Sequence, residues 1–160
     1  MAGNIRGKTE IPFRDGFYRG EMRDGLPNGV GTYSCESFTY TGSWFYGTMS
    51  GLGVMRYADG RLYKGEFYAD QRHGQGTEVI EVSGVKSRYE GGWRNNQKHG
   101  KGIEISIIAG VEIRHEGEWK NNVKYGAVIQ SLEDTGLKSG LDSDRFKNKK
   151  VEIYNPLSKE

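Results

Sequence analysis

Cysteine, long apolar runs and net charge are all scarce in this 160-residue chain, and each scarcity excludes a class of protein. A single cysteine, Cys35, excludes an internal disulfide framework and suits a reducing compartment. No apolar run is long enough for a signal peptide or a membrane span. Because the formal net charge is only +2 and the signs are interspersed, no broad field favours nucleic acid. The sequence therefore predicts a soluble, cytoplasmic protein.

Hydrophobic residues are also scarce. They make up 34% of the chain, below the roughly 45–50% of ordinary globular proteins, whereas glycine contributes 25 residues. This composition argues against a core between two layers of structure. It favours a thin, elongated sheet whose aromatic side chains supply most of the buried surface, and the length suits one domain.

A five-fold repeat organises the chain. The first position of each copy holds Tyr18, Tyr40, Tyr63, Tyr89 and His115, at intervals of 22, 23, 26 and 26 residues. Two residues later come the glycines that we predict to be structural: Gly20, Gly42, Gly65, Gly91 and Gly117. A large side chain lies four residues after the first position: Met22, Trp44, Phe67, Trp93 and Trp119. Since residues two and four apart on a strand share one face, each copy alternates bulk with absence of bulk.

A turn and a second strand complete each copy. Seven residues after the first position stand Gly25, Gly47, Asp70, Asn96 and Asn122, which favour turns or accept a positive φ. The second strand carries a Gly-x-Gly pair: Gly29/Gly31, Gly51/Gly53, Gly74/Gly76 and Gly100/Gly102, with Gly126 and Val128 in the fifth copy. Each copy therefore predicts a β-hairpin, and five copies in register predict a continuous array.

The two ends depart from the repeat. Residues 1–16 read as half a repeat with a loose end, since Asp15-Gly16 is a hairpin signal. Residues 17–130 hold the five repeats. Residues 131–160 are predicted to form an irregular cap, either as a worn sixth copy around Phe146 or as a short helix over 139–148.

The pattern Tyr-x-Gly-x-Trp, followed by turn residues and Gly-x-Gly, resembles the MORN repeat (membrane occupation and recognition nexus). The clearest copies span 40–53, 63–76 and 89–102, and the departures are Met22, His115 and Val128. The resemblance implies an all-β fold. It would be a single-layer antiparallel sheet of tandem hairpins, twisted and curved into a rod with a groove.

No catalytic or cofactor-binding pattern emerges. Gly7-Lys8-Thr9 lacks the glycine that a phosphate-binding loop needs five residues earlier. The Gly-x-Gly pairs open no helix, so they favour room for neighbouring aromatic rings over nucleotide binding. His73 and His99 are equivalent, but no further ligands of suitable type share their face, which favours turn residues over a metal site. We therefore expect no enzyme, no cofactor and no metal.

A single-layer sheet leaves one aromatic face without a second sheet, which predicts a protein-binding scaffold or adaptor. The partner would be a peptide or helical segment of another protein. Because Tyr and Trp dominate binding hot spots, the predicted contacts are Tyr40, Trp44, Tyr63, Phe67, Tyr89, Trp93 and Trp119. Tyr63 and Tyr89 are expected to keep their hydroxyls in water, so that truncating Tyr89 costs less stability than truncating Trp93. The resemblance implies a place in a cytoskeletal, ciliary or flagellar (axonemal) assembly.

Two alternatives stay open. The name of the family suggests binding of acidic phospholipids, and the densest basic run is Arg145, Lys147, Lys149 and Lys150. A solvated cap surface is the favoured explanation of that run, because the run lacks an amphipathic apolar face. The other alternative is the regulatory part of a larger enzyme.

Overall fold

The computed structural model describes residues 10–82, 85–108, 110–134 and 151–153, and strands account for all of the regular structure in them. The strands are β1 (Ile11–Phe13), β2 (Gly16–Arg23), β3 (Leu26–Ser34), β4 (Phe38–Phe45), β5 (Thr48–Tyr57), β6 (Leu62–Tyr68), β7 (Gln71–Val82), β8 (Val85–Arg94), β9 (Gln97–Ile108), β10 (Val111–Lys120), β11 (Val123–Asp134) and β12 (Val151–Ile153). Each strand pairs with the next one in the sequence, so the twelve form one antiparallel sheet. The predicted all-β fold of tandem hairpins is confirmed.

The ends of the sheet extend the repeat array. At the first edge β1 pairs with β2 through Ile11, Pro12 and Phe13. At the other end β11 continues four residues beyond the predicted limit of the repeats at residue 130 and pairs with β12. The predicted worn copy around Phe146 and the alternative helix over 139–148 lie outside the described residues.

The turns on one edge of the sheet hold the residues that the repeat pattern placed there. The backbone φ is positive at all five: Gly25 (76°), Gly47 (82°), Asp70 (65°), Asn96 (65°) and Asn122 (67°). Glycine adopts this left-handed conformation freely, and Asn and Asp adopt it at lower cost than most other residues. The position that lies seven residues after the first position of each repeat is therefore restricted by backbone geometry.

Hydrogen bonds join each of the later turns to the hairpin before it. The backbone N–H of Asn96 donates to the carbonyl of Arg72 at 3.0 Å, and the N–H of Arg72 donates back to Oδ1 of Asn96 at 2.9 Å. Asn122 and Lys98 make the same reciprocal pair at 3.0 and 2.8 Å. One turn side chain thus satisfies a backbone donor that lies 24 residues away in the sequence.

The second repeat shows why these pairs must match. Gly47 has no side chain to accept a hydrogen bond, and its partner is Pro27, which has no N–H to donate. Only the backbone bond from the N–H of Gly47 to the carbonyl of Pro27 is made, at 2.8 Å. No buried donor is left unsatisfied by the change of turn residue.

We predict that Asn96→Gly lowers the free energy of unfolding by about 0.5–1.5 kcal/mol, the usual net contribution of one hydrogen bond. Glycine keeps the positive φ, so the substitution removes the side-chain acceptor and leaves the backbone path unchanged. Urea denaturation measures the change. Asn95→Gly is the control, because Asn95 also has a positive φ (50°) but accepts no bond from another hairpin within the described residues. Equal losses in the two variants would contradict the prediction.

A row of glycines crosses the middle of the sheet, one on each strand from β2 to β10. The paired residues are Gly20, Gly31, Gly42, Gly53, Gly65, Gly76, Gly91, Gly102 and Gly117. A Cβ at Gly65 would lie 2.5 Å from the Cα of Gly76 and 2.6 Å from the hydroxyl of Tyr63. The row therefore leaves the space that the tyrosine rings occupy.

Aromatic rings build the core on one face of this sheet. Each first-position tyrosine packs edge-on against the large aromatic residue of the next repeat, with ring centroids 4.9–5.2 Å apart: Tyr18–Trp44, Tyr40–Phe67, Tyr63–Trp93 and Tyr89–Trp119. The indole N–H groups of Trp44 and Trp93 donate to glycine carbonyls at 3.2 Å. Because consecutive repeats cover one another's rings, a single layer acquires a core without a second sheet.

Candidate partner-binding faces

The seven aromatic residues predicted to bind a partner are buried. Their exposed fractions lie between 0% and 5%: Tyr40, Trp44, Tyr63, Phe67, Tyr89, Trp93 and Trp119. The structure corrects the prediction that they offer a binding surface, since rings of the adjacent repeats and the side chains above them cover this face. These residues form the core.

The expectation that Tyr63 and Tyr89 keep their hydroxyls in water is also wrong. Tyr63 donates to the carbonyl of Glu66, and Tyr89 donates to the carbonyl of Gly92, both at 3.0 Å. Burial, with a smaller effect of the Glu104 charge, raises the pKa of Tyr89 to about 12. The hydroxyls close hydrogen bonds inside their own strands.

Alternating charges lie above the aromatic core in the second half of the array. We call this set the charge ladder; in order it contains Arg72, Glu78, Lys98, Glu104 and Lys124. Successive charged atoms are 2.7, 3.9, 2.6 and 3.1 Å apart. Most of these side chains are strongly buried, so each charge depends on its neighbours for compensation.

The aromatic floor holds the cations of the ladder in place. The guanidinium of Arg72 lies 4.3 Å from the ring centroid of Trp93, and the Lys98 ammonium lies 4.6 Å from that of Tyr89. Lys98 and Lys124 both lie over Trp119, at 5.1 and 5.3 Å. Such cation–π contacts are favourable, particularly where water is excluded.

Earlier repeats fill the same places with apolar side chains. Pro27 and Met49 are equivalent to the ladder cations, and Tyr33 and Met55 are equivalent to its carboxylates. The face above the core therefore changes from apolar to ion-paired along the array. The ladder occupies two positions that vary between repeats, so the invariant positions of the repeat pattern do not reveal it.

Two titratable groups of this face are perturbed. Burial alone would raise the pKa of Glu104, but the hydrogen bonds and charges of Lys98 and Lys124 outweigh it and hold that pKa below its usual value. Burial, with the charge of Lys124, lowers the pKa of His115, although Glu104 opposes the shift.

An open depression of about 710 Å³ at this end is lined by ladder residues, Trp119, Asn122 and Val123. Its charged groups already pair with one another.

The opposite face carries a group of exposed apolar side chains. Val30, Phe45, Leu52 and Tyr68, which we call the outer apolar cluster, lie on β3, β4, β5 and β6 and are 60–69% exposed. Phe45 and Tyr68 directly follow the buried Trp44 and Phe67, so strand alternation directs them to the other face. Four exposed large apolar residues on four successive strands distinguish this part of the surface.

The cluster is confined to the first three repeats. Positions equivalent to Val30 and Leu52 hold Gln75 and Lys101 in the third and fourth repeats. Positions equivalent to Phe45 and Tyr68 hold Arg23, Arg94 and Lys120 in the first, fourth and fifth repeats. Since the fold accepts polar residues at these positions, folding does not require the apolar ones.

The remaining predicted sites are placed as follows. The five predicted structural glycines all lie in the glycine row. The basic run Arg145, Lys147, Lys149 and Lys150 lies outside the described residues. Over the described ranges, no three His, Cys, Asp or Glu side chains cluster in a way that could hold a metal ion. In the same ranges no apolar helix of membrane-spanning length occurs.

A single-layer sheet of stacked hairpins with a self-covered aromatic face defines a class of β-hairpin repeat proteins. The family model of the MORN repeat matches residues 18–39, 40–60, 63–81, 89–106 and 115–124, and the chain belongs to that family. It is also similar to alsin of Homo sapiens, Mus musculus and Rattus norvegicus, with 35% identity over 83 residues. The match covers 48% of this chain but only 5% of alsin, so the similarity extends to a small part of that protein.

Proposed function

We propose that this protein is a non-enzymatic scaffold whose partner, a segment of another protein, binds the outer apolar cluster. The exposure of four large apolar side chains on neighbouring strands carries the proposal. Contiguous exposed apolar surface on soluble proteins usually marks an interface, and aromatic residues such as Phe45 and Tyr68 are frequent anchors there.

The chemistry of the other face supports a role without catalysis. Within the described residues, the buried carboxylates Glu78 and Glu104 are both engaged by ladder cations. Glu104 lines the open depression, but its carboxylate is paired with Lys98 and Lys124 and is not left as an unpaired acid or base. The place in a cytoskeletal or ciliary assembly, the binding of acidic phospholipids and the regulatory part of a larger enzyme each stay a prediction, since no described residue favours one of them.

We predict that Leu52→Gln and Tyr68→Arg each weaken partner binding at least about tenfold, which corresponds to about 1.4 kcal/mol. Each variant installs the type of residue that the equivalent position holds in another repeat, Gln75 or Arg94. The free energy of unfolding should therefore change by less than about 0.5 kcal/mol. The measurement is capture of the partner from source cells, followed by calorimetric titration of the purified partner.

Lys101→Gln is the matched control, because Lys101 is equivalent to Leu52 but lies outside the cluster. Loss of binding in the control as well would indicate a general effect on the sheet. Unchanged binding in both cluster variants would refute the proposal. Co-sedimentation of the chain with acidic phospholipid vesicles, without any bound protein, would favour the lipid alternative.

A further inference from the structure

The outer apolar cluster repeats with the period of one hairpin. Val30 and Leu52 hold equivalent positions on β3 and β5, and Phe45 and Tyr68 hold equivalent positions on β4 and β6. Neighbouring strands lie about 4.8 Å apart, so each pair is separated by about 9.6 Å along the array. A ligand that runs along the array must present its side chains with a similar period.

The row of residues that contains Val30 and Leu52 has a glutamate at each end. Leu52 pairs directly with Glu66 on β6. On β2, Glu21 lies at the bulge opposite Val30, and its carboxylate approaches Gly29. Both glutamates are exposed and neither forms an ion pair with another described residue, although Oε1 of Glu66 accepts a hydrogen bond from the backbone N–H of Gln75 at 2.8 Å. The row thus runs from Glu21 on β2 to Glu66 on β6, four strand spacings or about 19 Å, with Val30, Ser43 and Leu52 between them.

We propose that the cluster binds a proline-rich segment of the partner in the polyproline II conformation, with a basic residue at each end. This inference rests on the proposed scaffold function. Polyproline II rises about 3.1 Å per residue with three residues per turn, so every third residue recurs after about 9.3 Å. That period is close to the 9.6 Å of the hairpins. Two residues that are six apart in such a segment are separated by about 19 Å, so basic residues at these two positions lie over Glu21 and Glu66.

Other backbone conformations fit the spacing less well. In an α-helix, residues seven apart recur on one face after about 10.5 Å. In a strand, side chains that share one face are two residues apart and recur after about 6.6 Å. A residue three positions along therefore points away from the surface. Polyproline II also favours aromatic surfaces, and its preformed backbone loses little entropy on binding. Phe45 and Tyr68 supply such rings, and Tyr46 supports Phe45 edge-on at a centroid distance of 4.8 Å.

The test places a photocrosslinking phenylalanine derivative at position 30 or 52 of the full chain. After irradiation in source-cell extract, the captured partner residues are mapped by mass spectrometry. We expect the two positions to capture residues three apart in one proline-rich segment. Position 101, on the same face of the fourth repeat, is the control and should not capture that segment.

The other outcomes test the polyproline II inference and the scaffold function separately. A separation of seven residues would indicate a helix, and two or four would indicate a strand. Either result overturns the polyproline II inference and leaves the scaffold function intact. If positions 30 and 52 capture no other protein, only lipid or a second copy of the chain, both the inference and the proposed function fail.

The charge component is tested with a synthetic peptide of the captured segment. Glu66→Gln should weaken its binding at least about threefold. Glu118→Gln should leave binding unchanged, because Glu118 is equivalent to Glu66 but lies in the fifth repeat. Equal affinity of the Glu66 variant and the native chain would overturn the role assigned to the glutamates.

Discussion

Tyr89→Ala and Trp93→Ala are each expected to lower the free energy of unfolding by about 3–5 kcal/mol, the usual range for truncating a large buried aromatic residue. Both side chains are almost fully buried. The Tyr89 ring contacts those of Trp93 and Trp119, with centroid distances of 5.3 and 5.1 Å. Its removal opens a cavity between two repeats. The sequence predicted a smaller loss of stability for Tyr89→Ala than for Trp93→Ala, whereas the structure predicts similar losses for the two.

Two control variants separate the ring from its hydroxyl and from the surface. Tyr89→Phe keeps the ring and removes only the hydrogen bond to the carbonyl of Gly92, so about 0.5–1.5 kcal/mol should be lost. Tyr68→Ala removes an exposed ring and should cost about 0.5 kcal/mol or less. Denaturant melts of all four variants give the comparison. A loss for Tyr89→Ala no larger than that for Tyr68→Ala would show that the Tyr89 ring is not part of the core.

The architecture could be predicted from the sequence because its determinants are local and repeat. Asp70, Asn96 and Asn122 are restricted to residues that tolerate a positive φ, and the structure places them at turns with that backbone. The paired glycines, such as Gly65 and Gly76, are restricted by close contact with the neighbouring strand. Both restrictions are visible in a single repeat and recur in the others.

The location of the exposed apolar surface could not be derived in this way. Whether the Tyr63 ring is open or covered depends on Trp93, which lies 30 residues later and approaches only when two repeats stack. The prediction treated one sheet as having one uncovered face, and the rings of adjacent repeats cover it instead. The signal for the outer apolar cluster lay in variable positions, where Leu52, Gln75 and Lys101 are equivalent. Comparing the differences between repeats would have identified it.

The charge ladder leads to a prediction of similar size. Glu104→Met is expected to lower the free energy of unfolding at pH 7 by about 3–5 kcal/mol, the usual cost of removing one partner of a buried ion pair. The substitution removes the carboxylate that lies 2.6 Å from the ammonium of Lys98 and 3.1 Å from that of Lys124. The Lys98 ammonium then has Glu78, 3.9 Å away, as its nearest counter-charge among the described residues.

A double substitution separates lost charge compensation from lost packing. Lys98→Met combined with Glu104→Met reproduces the second repeat, in which Met49 and Met55 occupy the equivalent positions. Because replacing a buried ion pair by well-packed apolar residues is often neutral or stabilising, the double variant should recover most of the loss. A double variant that is as unstable as Glu104→Met would show that the methionine side chains do not fit this part of the sheet.

The pH dependence of the same variants tests the cause. The folded-state pKa of Glu104 is lowered, so its contribution to stability is fully present above its unfolded pKa of about 4.3. That contribution is lost as the pH falls through the folded-state pKa, where the carboxylate becomes protonated. The stability difference between the native chain and Glu104→Met should therefore be constant from about pH 5.5 to 7 and should narrow below about pH 4.3. Denaturant melts across this range measure the difference, and one that stays constant at acid pH would show that the carboxylate charge is not what stabilises the ladder.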